Sequence, residues 1–287
     1  MPLAYCILAH KNPEQVRRLI DRLGDGALVY VNVFNHSNTE QQARWRKTFD
    51  GAECKDLTVR FKYGGSWGAF NLVQATLDAM QYFRDQAYSH FINLSGQCYP
   101  IKPVNEIERY FQNSDKSYIS FKQVPWPEPM EDGCGYMTRF DNYWFRMPTL
   151  ARSGHSNMVK IPRIRKTIPG GLKPYKGAQW FALRKKEVDT IFRMIDDNPA
   201  LLRFFHRVKI PDESFFHTII GNSEGETVND NLRFIDWTKK GVPLPAFLGN
   251  EDIEALKTSS RLFARKFDQE KNPELLDRVD RELLSVR

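Results

Sequence analysis

The chain contains no D-x-D triplet, no G-x-G-x-x-G after its first apolar stretch and no G-x-x-x-x-G-K-[ST] anywhere. The last two absences remove the fingerprints of dinucleotide-binding and P-loop proteins, and the first removes a common carboxylate pair for a divalent cation. Cysteine is sparse and unpaired in spacing: Cys6, Cys54, Cys98 and Cys134 form no C-x-x-C, so neither a zinc site nor a disulfide framework is signalled, and a reducing cytoplasm fits best. Long apolar runs are missing. Ala4 to Ala9 is stopped by His10 and Lys11, which is too short for a membrane span and has neither a basic leader nor a cleavage pattern. No internal repeat or low-complexity linker divides the 287 residues, so a single domain over 1–287 is expected. Acid is absent from Arg152 to Lys186, where ten Lys or Arg stand without one Asp or Glu. Such a block suits phosphates, acidic polymers or an anionic membrane surface, and equally a solvated basic loop that binds nothing.

What is present is an ordinary globular composition, 41% hydrophobic and 27% charged, with a formal charge of +7. Leu3 to Ala9 reads as a buried strand. Val16, Leu19, Ile20 and Leu23 then sit at helical spacing, behind Asn12 as a candidate cap and Pro13 at the first helical position. Leu28 to Phe34 supplies a second strand, which predicts a parallel pair joined by a right-handed crossover. Ligands of such sheets bind at the carboxyl ends of strands, here near His10-Lys11 and Asn35-His36. Helices are expected over Gln41–Phe49, Phe70–Phe83, Pro103–Phe111, Lys185–Ile195 and Asn250–Leu256, and strands over Leu57–Phe61, His90–Leu94, Tyr118–Val124, Tyr175–Leu183 and Asn229–Trp237.

Three stretches carry candidate chemistry. Pro211-Asp212-Glu213 reads as a helix start with two carboxylates in its first turn, anchored behind by Phe215, Phe216, Ile219 and Ile220. A carboxylate stabilised as the anion is a plausible base, although acids also suit first turns for the dipole alone. Phe140 to Met147 is rich in aromatics on which sugars stack, or which simply pack a core. Near the end, Arg265 and Lys266 lie between Phe263 and Phe267, so these cations are positioned by buried neighbours rather than merely solvated.

Ile7 to Pro13, Trp67-Gly68, Asn93-Leu-Ser-Gly-Gln-Cys-Tyr-Pro-Ile-Lys102, Gly177-Ala-Gln-Trp180, Pro211-Asp-Glu-Ser214, Leu232 to Trp237 and Phe263 to Asp268 together resemble the core-2/I-branching glycosyltransferase family. That family, glycosyltransferase family 14, includes β-1,6-N-acetylglucosaminyltransferases and peptide O-xylosyltransferases. The resemblance implies an α/β, GT-A-type fold with a Rossmann-like mixed sheet flanked by helices, a UDP-sugar donor, inversion at the anomeric carbon and no metal or other cofactor. Carried onto this sequence, it makes Glu213 the general base. It gives Lys266, His10, Ser95 and Arg265 or Arg261 to the donor, and Trp237 and Trp180 to the acceptor. Two departures bear on the donor: an aspartate that usually ends the second strand is replaced by Phe34 or Asn35, and the aspartate of the S-G-Q-D-Y-P-like motif is Cys98.

The chemistry is coherent. A nucleoside diphosphate leaves without protonation, so one carboxylate suffices where an inverting hydrolase needs two. Glu213 would take the proton of an acceptor hydroxyl attacking from the face opposite the diphosphate. Lys266 and Arg265 would stabilise the charge growing on the leaving group. The reading is an inverting, metal-independent transferase that moves N-acetylglucosamine or xylose from a UDP-sugar to a glycan or glycolipid hydroxyl in bacterial surface-polysaccharide synthesis. It is expected in the cytoplasm, peripheral at the inner face of the plasma membrane, with no nucleic-acid partner. The alternative is a catalytically inactive carbohydrate- or nucleotide-binding protein on the same scaffold.

Overall fold

The computed structural model describes residues 1–34, 38–64, 68–126, 136–146 and 158–285. Asn35-His36, Trp67, most of the acidic loop before Gly135, Cys134, Met147, the first part of the basic block and the Arg163 side chain lie outside the described residues. In chain order the elements are β1 (Ala4–Ala9), α1 (Pro13–Asp21), β2 (Leu28–Val33), α2 (Thr39–Thr48), β3 (Asp56–Arg60), α3 (Asn71–Tyr82), β4 (His90–Ser95), β5 (Cys98–Pro100) and α4 (Val104–Gln112). They continue with β6 (Ser117–Gln123), α5 (Met137–Asp141), β7 (Asn142–Arg146), β8 (Met158–Arg165), β9 (Tyr175–Arg184), α6 (Lys185–Asp197), α7 (Ala200–Phe205) and α8 (Phe215–Gly221). Last come β10 (Thr227–Val228), β11 (Arg233–Ile235), α9 (Ile253–Thr258), β12 (Phe263–Arg265) and α10 (Pro273–Glu282). This α/β organisation is the one expected of a GT-A-like fold. The chain forms two compact units. The first comprises Met1–Gly64, Asp85–Asp115 and Asn231–Arg287, the second Gly65–Arg84 and Lys116–Asp230.

In the first unit β1 lies between β2 and β4, and β2 pairs with β3, all in parallel. Every residue of β1 and β2 is buried, as largely apolar strands covered on both faces should be. The expected parallel pair is therefore present, Ala4 opposite Leu28. Asn12 does not cap α1. It adopts φ 55° with no capping side-chain bond, and its Nδ2 donates to Asp268 Oδ1 at 3.2 Å instead. A small sheet places β12 parallel to β11 and antiparallel to β5, with Arg265 opposite Cys98. The long Asn229–Trp237 strand expected from the sequence shortens to β11, because Leu232 takes φ 58° and breaks the extended run; β10 ends at Val228, before it begins.

The C-terminal α10 has no counterpart in the sequence reading, yet it is tied in firmly. Its Asp280 accepts from Arg18, Arg22 and the Tyr99 hydroxyl at 2.7–3.0 Å. Burial opposes ionisation there, but the Arg22, Tyr99 and Arg18 bonds hold the Asp280 carboxyl below the usual carboxylate range.

In the second unit β6 pairs antiparallel with β9 and parallel with β10, and β7 pairs antiparallel with β8. Its core is a chain of rings. Phe205 and Phe215, Phe215 and Phe216, and Phe216 and Phe181 lie 5.1–5.2 Å apart, mostly edge to face.

Candidate active site

The carboxylate segment begins at a strained residue. Ile210 holds φ 55°, a left-handed conformation costly for a β-branched side chain. Its N–H donates to Gly68 O at 3.2 Å and its carbonyl accepts from Glu213 N–H at 3.2 Å. Gly68 itself takes φ +75°, and a Cβ there would stand 3.2 Å from Ile210 Cγ1. The described glycine of the Trp67-Gly68 pair therefore shapes the approach to Glu213.

Pro211–Glu213 is one turn of 3-10 helix, and the α-helix starts only at Phe215. This corrects the expectation that both acids occupy the first turn of one helix. Ser214, at φ −146° and ψ −29°, is not helical and breaks the run, while Phe215 and Phe216 are pinned in the core behind it.

Glu213 is held by one oxygen. Oε2 accepts from Arg139 Nη1 at 3.0 Å and lies 3.2 Å from Lys176 Nζ, and Oε1 takes part in neither contact. Lys176 is buried, with its ammonium 4.5 Å from the Tyr136 ring centre and 5.3 Å from that of Trp126. The Arg139 guanidinium lies 4.8 Å from the centre of the Tyr136 ring, which meets Trp126 edge to face. Burial by itself would raise the Glu213 carboxyl, but Lys176 and Arg139 together hold it below the usual range. The neighbouring Asp212 goes the opposite way. It is buried, its Oδ1 has no hydrogen-bond partner among the described residues, and burial followed by repulsion from Glu213 pushes it up to about 7. Two adjacent carboxyls are thus driven apart, one anionic and one neutral below about pH 7. His217 is fully buried, which pushes it down to about 4, and its Nε2–H donates to Ala178 O at 2.8 Å.

The Gly177-Ala-Gln-Trp180 motif has a packing reason. Gly177 faces Phe121 where β6 is irregular, and a Cβ would fall 1.7 Å from Ser120 O and 2.9 Å from His217 Cδ2. Only glycine fits beside Lys176. Trp180 is 6% exposed, so its ring is covered by protein and offers little surface to an acceptor.

The first unit gathers cations at the carboxyl ends of its strands. Lys266 follows β12, and its ammonium lies 4.5 Å from the Phe247 ring, which Lys271 also approaches at 4.2 Å. Burial lowers the Lys266 pKa, and Arg265, Lys11 and Lys271 lower it further, against Asp268. Asp268 is buried and bound to Lys11 at 2.6 Å. Four cations therefore share one carboxylate, an arrangement that favours an incoming anion. Phe263 and Phe267 are buried, as expected, and fix this segment. Gln15 braces it, donating to Gly96 O at 2.7 Å and Phe267 O at 3.3 Å while accepting from Gln269 N–H at 2.8 Å.

The remaining expected donor residues are distributed around this unit. His10 is exposed and lines a cavity with Lys11, Asn12, Arg44 and Trp45. Ser95 Oγ accepts from Gln97 N–H and lies 3.3 Å from Cys98 Sγ. Cys98 is buried and bonded to Arg265, which occupies the arginine locally. Arg261 stands just before β12, with its backbone N–H bonded to Ser259 Oγ. Phe34 is 4% exposed, its N–H bonded to Ala9 O. Trp237 is 58% exposed and available for stacking. Among the described residues no group of three His, Cys, Asp or Glu side chains is placed to hold a metal ion, and no helix is long and apolar enough to cross a membrane.

Arg139, Lys176, Trp126, Tyr136 and Gln15 have no role in the sequence reading, and Asp268 stands in a quoted motif without one. Arg139 and Lys176 lie 74 and 37 positions from Glu213, so no local spacing links them. Lys176 did abut a quoted motif, and that adjacency was the available signal.

The family model for the Core-2/I-branching enzyme matches residues 3–257. The chain belongs to this family. It is a glycosyltransferase family, and the match stops short of Arg261, Arg265 and Lys266. Xylosyltransferase 2 of Rattus norvegicus is 26% identical over 97% of this chain and 33% of its own length, and Xylosyltransferase 2 of Homo sapiens is 28% identical over the same shares. Beta-glucuronosyltransferase GlcAT14A of Arabidopsis thaliana is 28% identical over 68% of this chain and 42% of its own length. The chain spans about a third of the xylosyltransferases it matches.

Proposed function

We propose that this member of the Core-2/I-branching family transfers a sugar from a UDP-sugar to a hydroxyl of a glycan, with inversion to a β-linkage and without a metal ion. The observation that carries the reading is the state of Glu213, an anion gripped through Oε2 alone by Arg139 and Lys176. That grip orients the carboxylate and leaves Oε1 to accept the proton of an acceptor hydroxyl as it attacks. Lys266, supported by Lys11 and Lys271, takes the negative charge that develops on the leaving diphosphate, the task a divalent cation performs elsewhere. The exposed Trp237 supplies a ring face for the acceptor.

The donor sugar is xylose, glucuronic acid or N-acetylglucosamine; the relatives named for xylosyl and glucuronosyl transfer support the first two. We place the reaction in the bacterial cytoplasm, on a surface glycan such as a capsule or lipopolysaccharide, with the protein peripheral at the inner leaflet. The unpaired spacing of the cysteines and the basic block, with exposed Lys160 and Ile164, support that placement.

The test is a transfer assay with UDP-xylose, UDP-glucuronic acid and UDP-N-acetylglucosamine, run with EDTA and with Mn²⁺. One donor is expected to give a β-linked product, or slow Glu213-dependent hydrolysis without acceptor, at equal rates in both media. Turnover that requires Mn²⁺ would contradict metal independence. Nucleotide binding without transfer or hydrolysis would favour the non-catalytic alternative.

A further inference from the structure

A cavity of about 730 Å³ in the second unit uses none of the residues assigned above. Tyr143, Lys166, Thr167, Arg203, Phe204 and Arg207 are its principal walls, and no acidic side chain lines it. Lys166 Nζ donates to the carbonyls of Phe204 at 3.1 Å and Arg207 at 2.9 Å, at the end of α7, and lies 3.9 Å over the Phe204 ring. Those bonds explain Lys166 as a brace for the helix terminus. They do not explain Arg203 and Arg207, both exposed at the same cavity. The Arg207 guanidinium lies 4.3 Å over Phe145, which restrains it. Asp141, which acts on Lys166, is paired with Arg165 at 2.6 Å and so is largely spent. Burial, and then Arg207, depress Lys166 to about 7, with Asp141 opposing.

We infer that this cavity binds a carboxylate-bearing saccharide, an acidic segment of the glycan acceptor. The inference rests on the reading of the acceptor as a glycan. The exposed guanidiniums of Arg203 and Arg207, grouped at one cavity with the Tyr143 ring and the Thr167 hydroxyl, suit sugar rings carrying charge.

The experiment is calorimetry on the wild type and the Arg203→Ser/Arg207→Ser double variant. Ligands are a glucuronate-containing oligosaccharide, its carboxyl-reduced neutral form, vesicles rich in phosphatidylglycerol, and UDP as a control. The wild type is expected to bind the acidic oligosaccharide at least roughly tenfold more tightly than the neutral one, and the double variant to lose roughly tenfold with UDP affinity unchanged. Equal affinity for the two oligosaccharides, an undiminished variant, or binding to vesicles alone would overturn the inference. Selective binding of the acidic oligosaccharide by a protein that ignores UDP would uphold the cavity and defeat the transferase reading.

Discussion

Glu213→Gln lowers the transfer rate by roughly 10²- to 10⁴-fold, the range of a lost general base. UDP affinity is expected to stay unchanged, since the proposed diphosphate cations belong to the other compact unit. The amide keeps the shape and can still meet Arg139 or Lys176, but it cannot take a proton. The pH profile follows from the same contacts. Glu213 is held below the ordinary glutamate range, so it remains the active anion through neutral pH. Activity is lost only as pH falls through that depressed value. Lys176→Met removes one stabilising charge from an environment where burial pulls the other way, and the acid limb moves upward. Initial rates from pH 4 to 8 on the three proteins check this. A Glu213→Gln enzyme with near wild-type turnover, or a Lys176→Met profile displaced toward acid, would exclude Glu213 as the base.

Gly177→Ala is expected to be the most damaging single methyl group in the second unit. The new Cβ would sit 1.7 Å from Ser120 O, a backbone atom that cannot rotate away, and 2.9 Å from the buried His217 ring. Relief requires β6 and β9 to separate where they pair, at a cost of about 3 kcal/mol or more. Lys176 precedes this residue, so the ion pair to Glu213 is disturbed as well. Urea denaturation should show a clearly lowered midpoint. Ser120→Ala should not, because the clash is with the main chain. A Gly177→Ala protein as stable as the wild type would mean that the two strands do not pair as described.

Patterns carried by adjacent residues were legible in the sequence. β1, α1, β2, α3, β4, β9 and α6 follow from apolar periodicity, and the burial of Phe263 and Phe267 from their placement around two cations. The segment at Glu213 is legible as a motif but not in its local form, because the left-handed Ile210 and the non-helical Ser214 answer to packing and not to propensity. The type and position of Asn12 suit a helix cap. Asp268, 256 residues away, competes for its side chain and wins. The partners of Glu213 were invisible for the same reason, coming from α5 and β9, which only the folded chain brings together. Trp180 shows the converse. A motif tryptophan reads as a sugar platform until its burial is known.

The central claim, that fixed cations replace a metal at a UDP-sugar site, is tested most directly by titrating UDP into the wild type and Lys266→Ala in EDTA, then repeating with Mn²⁺. The account predicts wild-type binding in EDTA, unchanged by Mn²⁺, and weakened by at least roughly tenfold in Lys266→Ala, as for loss of one charge-assisted contact. Binding that appears only with Mn²⁺, or that is indifferent to Lys266, would contradict it.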